Sequence, residues 1–157
     1  MAMKQIDCAK NLDNIDTTDL LSAWGWRIDE LDSIVLVTLL GDVFLLGDDG
    51  AIYWLQTDSG DLTAVADSMK EFNEMLDDEE TFEEWFLTPV LEVLLDAGKT
   101  LKENEVYSYK VLPVLGGDYT VDNIEPVDIR VHFDTTGQIC EQIQDLPDGT
   151  EVDINVK

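Results

Sequence analysis

The chain has a single histidine, His132, and with it a single side chain whose ordinary titration range lies near neutrality. Catalysis by an imidazole needs a nucleophile or a second acid–base group within reach. No Gly-x-Ser-x-Gly elbow and no phosphate-binding glycine loop accompanies it. The reading favoured here for His132 is a structural hydrogen bond or a place at an interface. Carboxylates are abundant, and three acidic clusters could in principle hold a divalent cation: Asp48-Asp49, Asp58 with Asp61, and Asp77-Asp78-Glu79-Glu80. None has the glycine and spaced oxygens of an EF-hand loop, so a solvated acidic face is the plainer meaning. Gly116-Gly117 reads as a turn, not as a ligand cradle. Of the four tryptophans most are expected in the core. Trp26 and Tyr119 lie beside turns and are the aromatic candidates for an interface anchor. No cofactor is implied.

The charge balance narrows the partners. Thirty-five acidic residues face nine basic ones, a formal net charge of −26. Nucleic acid and anionic membranes are poor partners, because binding phosphate takes the lysines and arginines this chain lacks. A cationic protein is the favoured partner type, since complementary fields speed encounter. Cys8 and Cys140 are far apart and show no metal-ligand or redox spacing. A disulfide between them stays open, with reduced thiols in a cytoplasmic protein preferred. The N-terminus has no apolar signal core, and the longest apolar run, Ile34 to Leu40, is too short to span a bilayer.

These residues need a scaffold, and the length and apolar content suit a single domain with a real core. Residues 1–16 read as an N-terminal arm, loose or briefly helical, and 17–157 as the domain. Asp16 or Thr17 caps a predicted helix through Ala23, which Gly25 ends in the left-handed conformation. Strands follow at Ile34–Leu40, Val43–Leu46, Ala51–Leu55 and Leu62–Val65, joined by short turns, as in an antiparallel meander. Helices come next. Ser68 with Glu71 fits a capping box, Asp77–Glu80 reads as an acidic break, Thr81 with Glu84 opens a second helix, and Thr88-Pro89 opens a third. The stretch from Tyr107 to Gly149 holds three of the four prolines, the histidine and one cysteine, and looks like a folded centrepiece. A strand from Val106 ends at Pro113. Val127, Ile129, Val131 and Phe133 alternate with polar residues, which predicts a half-buried strand carrying His132. Asp134 would then cap a last helix, with an edge strand near Val152 to Val156. The fold class is α+β: a mainly antiparallel β-sheet with helices packed on it.

Several ordered motifs carry a family resemblance. They are Ser22-Ala-Trp-Gly-Trp26, Gly41-Asp-Val-Phe44, Asp49-Gly-Ala-Ile-Tyr-Trp54, Pro113-Val-Leu-Gly-Gly-Asp-Tyr119 and Asn123-Ile124, followed by Val131-His-Phe133, Gly137-Gln-Ile139, Glu141-Gln142 and Leu146-Pro-Asp-Gly-Thr150. Over roughly Thr18 to Thr150 the chain resembles the C-terminal domain family of bacterial type VI secretion immunity proteins that neutralise DNase effectors. That domain is often found behind a GAD-like domain. The resemblance implies a cytoplasmic, non-enzymatic protein that binds and occludes a cognate toxin, and it implies no catalytic residues. The acidic composition fits, because a nuclease that holds DNA phosphates tends to present a basic surface. The expected contact residues are Trp26, Asp48, Asp49, Asp77, Asp78, Glu79, Glu80, Tyr119 and His132. Two other readings compete: a small enzyme or metal-binding domain using His132 and nearby carboxylates, and a general protein-interaction adaptor.

Overall fold

Short runs of β-branched and aliphatic residues separated by glycine turns build the larger sheet, a meander of four antiparallel strands in the order β1-β2-β3-β4. These are β1 (Ser33–Val37), β2 (Val43–Leu46), β3 (Ile52–Gln56) and β4 (Asp61–Ala66). The computed structural model describes residues 8–28 and 33–144. Residues 8–10, assigned to an arm from sequence, lie against β1: Lys10 N donates to Val37 O at 2.7 Å and Ala9 bridges Thr38. The edge strand proposed near Val152 to Val156 lies outside the described residues.

Phe44 faces Trp54 in the β2–β3 register. Their side chains enter an aromatic cluster with Phe72, Trp85 and Phe86, supplied by helices that follow the meander. With α1 as Gly25–Ile28, these helices are α2 (Met69–Leu76), α3 (Glu79–Phe86) and α4 (Thr88–Asp96). Ser68 caps α2 as expected: its Oγ accepts from Glu71 N at 3.1 Å, while Asp67 N donates to the Glu71 carboxylate. The acidic stretch Asp77–Glu80 breaks the helices only at Asp77 and Asp78, and Glu79 and Glu80 already belong to α3. Asp78 is itself the cap of α3, accepting from Thr81 N at 3.1 Å, so Thr81 sits inside the helix. A carboxylate on exposed amides and the positive helix end outcompetes a hydroxyl placed three residues later. The Thr81 hydroxyl, which donates to the same carboxylate at 2.7 Å, and then the Thr81 amide hold the Asp78 carboxyl below its ordinary range.

Two further expectations are corrected. Gly25 has φ −53°, a right-handed helical value, so the chain passes from a 3₁₀ turn at Ser22–Trp24 straight into α1. More consequential, the predicted strand across Val127–Phe133 ends at Asp128. A second sheet pairs β5 (Glu105–Tyr109) with β6 (Ile124–Asp128), and α5 (Ile129–Ile143) begins immediately after. Asp128 is its cap, accepting from Arg130 N at 2.9 Å and Val131 N at 3.2 Å, and Asp134 lies within the helix. The buried residues of α5 recur at helical spacing as Ile129, His132, Phe133, Thr136 and Cys140. The fold class is α+β. Tyr107 N, which donates to Leu39 O at 2.7 Å, ties the small sheet to the turn between β1 and β2.

Candidate functional site

Five elements meet at a polar knot that the larger sheet leaves at the end of its β1–β2 and β3–β4 connections. The β1–β2 turn brings Gly41 and Asp42, the β3–β4 turn brings Thr57 and Asp58, β5 brings Ser108 and α5 brings His132. The β5–β6 connection adds Tyr119. All of these are buried except Tyr119.

His132 is only 1% exposed. Its Nε2 lies 2.9 Å from Gly41 O, and its Nδ1 lies 2.8 Å from Ser108 Oγ. A carbonyl oxygen only accepts, so Nε2 carries the proton and Nδ1 accepts from the serine hydroxyl. Thr57 Oγ1 donates to the same Gly41 O at 2.9 Å. Both ring nitrogens are thereby satisfied in the neutral form. Burial outweighs the favourable carbonyl bond and pulls the imidazole pKa down to about 4. This overturns the expectation of a strand histidine facing a partner: a sealed side chain on a helix cannot be a surface contact. It also weakens the enzyme reading that used His132, since both ring nitrogens are engaged and, among the described residues, no carboxylate orients the ring. Among the described residues, no group of three or more histidines, cysteines or carboxylates could hold a metal ion.

The pH consequence has a definite sign. In the unfolded chain the histidine titrates near 6.5, and in the folded chain near 4. As pH falls through that window the unfolded state takes up a proton that the native state refuses, so stability falls, by up to about 3 kcal/mol at this site. Its NMR imidazole signals are expected to remain those of the Nε2–H tautomer at pH 5.5. Protonation with a midpoint above 6 would contradict the buried arrangement.

Beside the histidine lie two buried carboxylates. Asp42 accepts from Thr57 N at 3.1 Å, and its pKa is raised, first by burial and then by the negative Asp58. Asp58 accepts from the Tyr119 phenol at 2.7 Å, while its Oδ1 is buried with no hydrogen-bond partner among the described residues. Burial also raises the Tyr119 phenol, helped by its bond to Asp58. Cys140 completes the margin, 2% exposed, with its Sγ 3.9 Å from Thr57 O and its thiol pushed up to about 12 by burial and then by Asp58 and Asp61.

The expected contact residues therefore divide. Tyr119 and Trp26 both flank the β3–β4 turn: Tyr119 through Asp58, and Trp26 through its neighbour Arg27, whose Nε donates to Gly60 O at 3.1 Å. Trp26 is part-buried, stacked on Trp24 at 5.6 Å, with its indole donating to Gly137 O. Asp48 and Asp49 are exposed in the β2–β3 turn, at the other end of the hairpin, with Asp49 accepting from Tyr53 Oη at 3.0 Å. Asp77 to Glu80 are exposed too. Ala66 pairs with Ile52, so α2 starts near the β2–β3 turn and carries the chain about 12 Å along its axis before Asp77. Reading the sequence alone missed Asp42, Thr57, Asp58 and Ser108 as one unit. The turn acids were visible, but only the return of β5 and α5 brings them onto a histidine.

Residues 66–140 match the model of the family described as T6SS immunity protein Tdi1, C-terminal. Over this segment the chain is similar to the C-terminal domain of a type VI secretion immunity protein. The segment takes in β5, the β5–β6 connection and most of α5, hence Ser108, Tyr119, His132 and Cys140. Gly41, Asp42, Thr57 and Asp58 lie before it. No curated protein matches the chain. Among solved structures, the chain is similar to the crystal structure of Atu4351 from Agrobacterium tumefaciens, with TM-score 0.55 and 17% identity over 77% of this chain and 63% of that one. At that identity the likeness is one of fold, and the chain spans less than two thirds of that protein's length. Among the described residues no helix is long and apolar enough to cross a membrane.

Proposed function

We propose that the protein is a cytoplasmic immunity protein that binds a cognate antibacterial toxin and neutralises it by covering its active or substrate-binding surface. The match of residues 66–140 to an immunity family carries this reading. The net charge of −26 supports a basic partner, and a nuclease is the toxin class whose phosphate-binding surface would supply one. Exposed carboxylates at Asp48-Asp49 and Asp77–Glu80 would accelerate encounter, and an aromatic such as Tyr119 would slow dissociation. The proposed action is stoichiometric occlusion without turnover.

Co-expression with the product of the neighbouring toxin gene tests the reading. The protein is expected to protect cells and to co-purify with the toxin. The association rate should fall on the order of ten-fold or more when salt is raised well beyond physiological strength, because exposed charges are screened over about 8 Å already at 0.15 M. Cells left unprotected would refute the immunity role. A salt-independent association rate would make the acidic surface incidental.

A further inference from the structure

The β5–β6 connection, residues 110–123, shows apolar side chains to solvent on a backbone that is firmly tied down. Val111, Val114, Leu115 and Tyr119 are 48%, 42%, 36% and 49% exposed. Asn123 holds the loop closed: its Nδ2 donates to Val111 O at 2.9 Å and Asp118 O at 2.8 Å, and its Oδ1 accepts from Val111 N at 2.9 Å. Gly117 is required there, since a Cβ would lie 1.8 Å from Val111 O. The loop is also bonded to the β3–β4 turn. Val114 N donates to Asp58 O at 3.2 Å, and the Tyr119 ring sits edge-on to Tyr109 at 5.5 Å. An apolar group of this kind on a fixed backbone has already met the ordering cost of association.

Charge indicates what covers it. From 110 to 125 the chain has one base, Lys110, against Asp118, Asp122 and Glu125, and all four are exposed. Beneath Tyr119 lies the Asp58 carboxylate, 7% exposed, with one oxygen on the phenol and the other unpartnered among the described residues. A buried carboxylate oxygen without a donor is costly, and a cationic donor is its best complement.

We propose that this loop is the docking surface for a basic partner protein. Its apolar group, Tyr119 included, packs against the partner, and the unpartnered Oδ1 of Asp58 receives a partner arginine or lysine. The inference rests on the immunity reading, and it puts the tight contact at the β3–β4 end of the sheet, away from the acidic turn at Asp48-Asp49.

The test is binding of the full chain to the purified product of the neighbouring toxin gene, with rates measured by surface plasmon resonance. Val114→Asp, at an exposed side chain, should keep the melting temperature, whereas Tyr119→Ala should lower it somewhat through loss of its bond to Asp58; each should weaken binding roughly 30-fold, chiefly through faster dissociation. Asp58→Asn retains an acceptor for the tyrosine and should weaken binding and flatten its salt dependence. Neutralising Asp48 and Asp49 together should change the association rate alone. Wild-type binding matched within about two-fold by Tyr119→Ala and Val114→Asp overturns the loop as the interface while leaving the immunity reading intact. A wild-type chain that does not bind the toxin overturns both.

Discussion

Gly41→Ala is expected to lower stability by about 4 kcal/mol or more, a large share of the 5–15 kcal/mol that holds a typical domain together. Gly41 has φ +84°, where a Cβ strains the backbone. A Cβ there would also stand 2.1 Å from His132 Nε2 and 2.6 Å from its Cε1. The ring has nowhere to retreat, because Ser108 holds one side and the Gly41 carbonyl the other. Overpacking and at least one broken buried hydrogen bond add to the strain. Thermal unfolding is expected to show a midpoint lower by about 10 °C. A double-mutant cycle separates the contributions: with His132→Ala in place the collision vanishes and only the backbone strain is left, so the two changes should be far from additive. Additive effects would mean that the two residues do not share the packing described.

Phe44→Ala is the second large effect, expected at about 3–5 kcal/mol. Phe44 is 0% exposed, and its ring centroid lies 5.1 Å from those of Phe72 and Trp85 and 5.8 Å from that of Trp54. It is the residue through which β2, β3, α2 and α3 share one core. Truncation leaves a void that four neighbours cannot fill without moving off their rotamers. Near-UV circular dichroism from the two tryptophans should weaken along with the unfolding midpoint, and Phe44→Leu should restore most of the loss. A change under about 1 kcal/mol would show that the cluster relaxes freely.

Both effects bear on how far the sequence could be read. The meander was legible because β1 to β4 combine aliphatic runs with glycine turns, and Ser68 and Pro89 announced their helices by chemistry that depends on nearest neighbours. The last helix was not legible. Val127, Ile129, Val131 and Phe133 alternate as a strand would, yet Val131 is 53% exposed on the outer face of α5. The true stripe runs through Ile129, His132, Phe133, Thr136 and Cys140, of which His132 and Thr136 do not register as apolar. They line the inner face because what they meet is a polar knot and a close-packed turn, a tertiary circumstance that no periodicity of hydrophobic residues can report. The candidate site shared that fate. Tyr119 was identifiable as an aromatic beside a turn, whereas Asp58 beneath it looked like one more solvated acid until the chain closed over it.

Cys140 has a consequence of another kind. Attack by a sulfur on a peroxide, a disulfide or an alkylating reagent proceeds through the thiolate, and here the thiol is held up to about 12, with the sulfur beyond the reach of bulk reagents at 2% exposure. Cys8 is equally enclosed, at 0% exposure. The two cysteines of the native protein should therefore be nearly silent towards iodoacetamide and hydrogen peroxide and become reactive only as the fold opens. Labelling of these two sulfurs would then count unfolding events directly, while oxidants would leave both cysteines of the folded molecule unmarked.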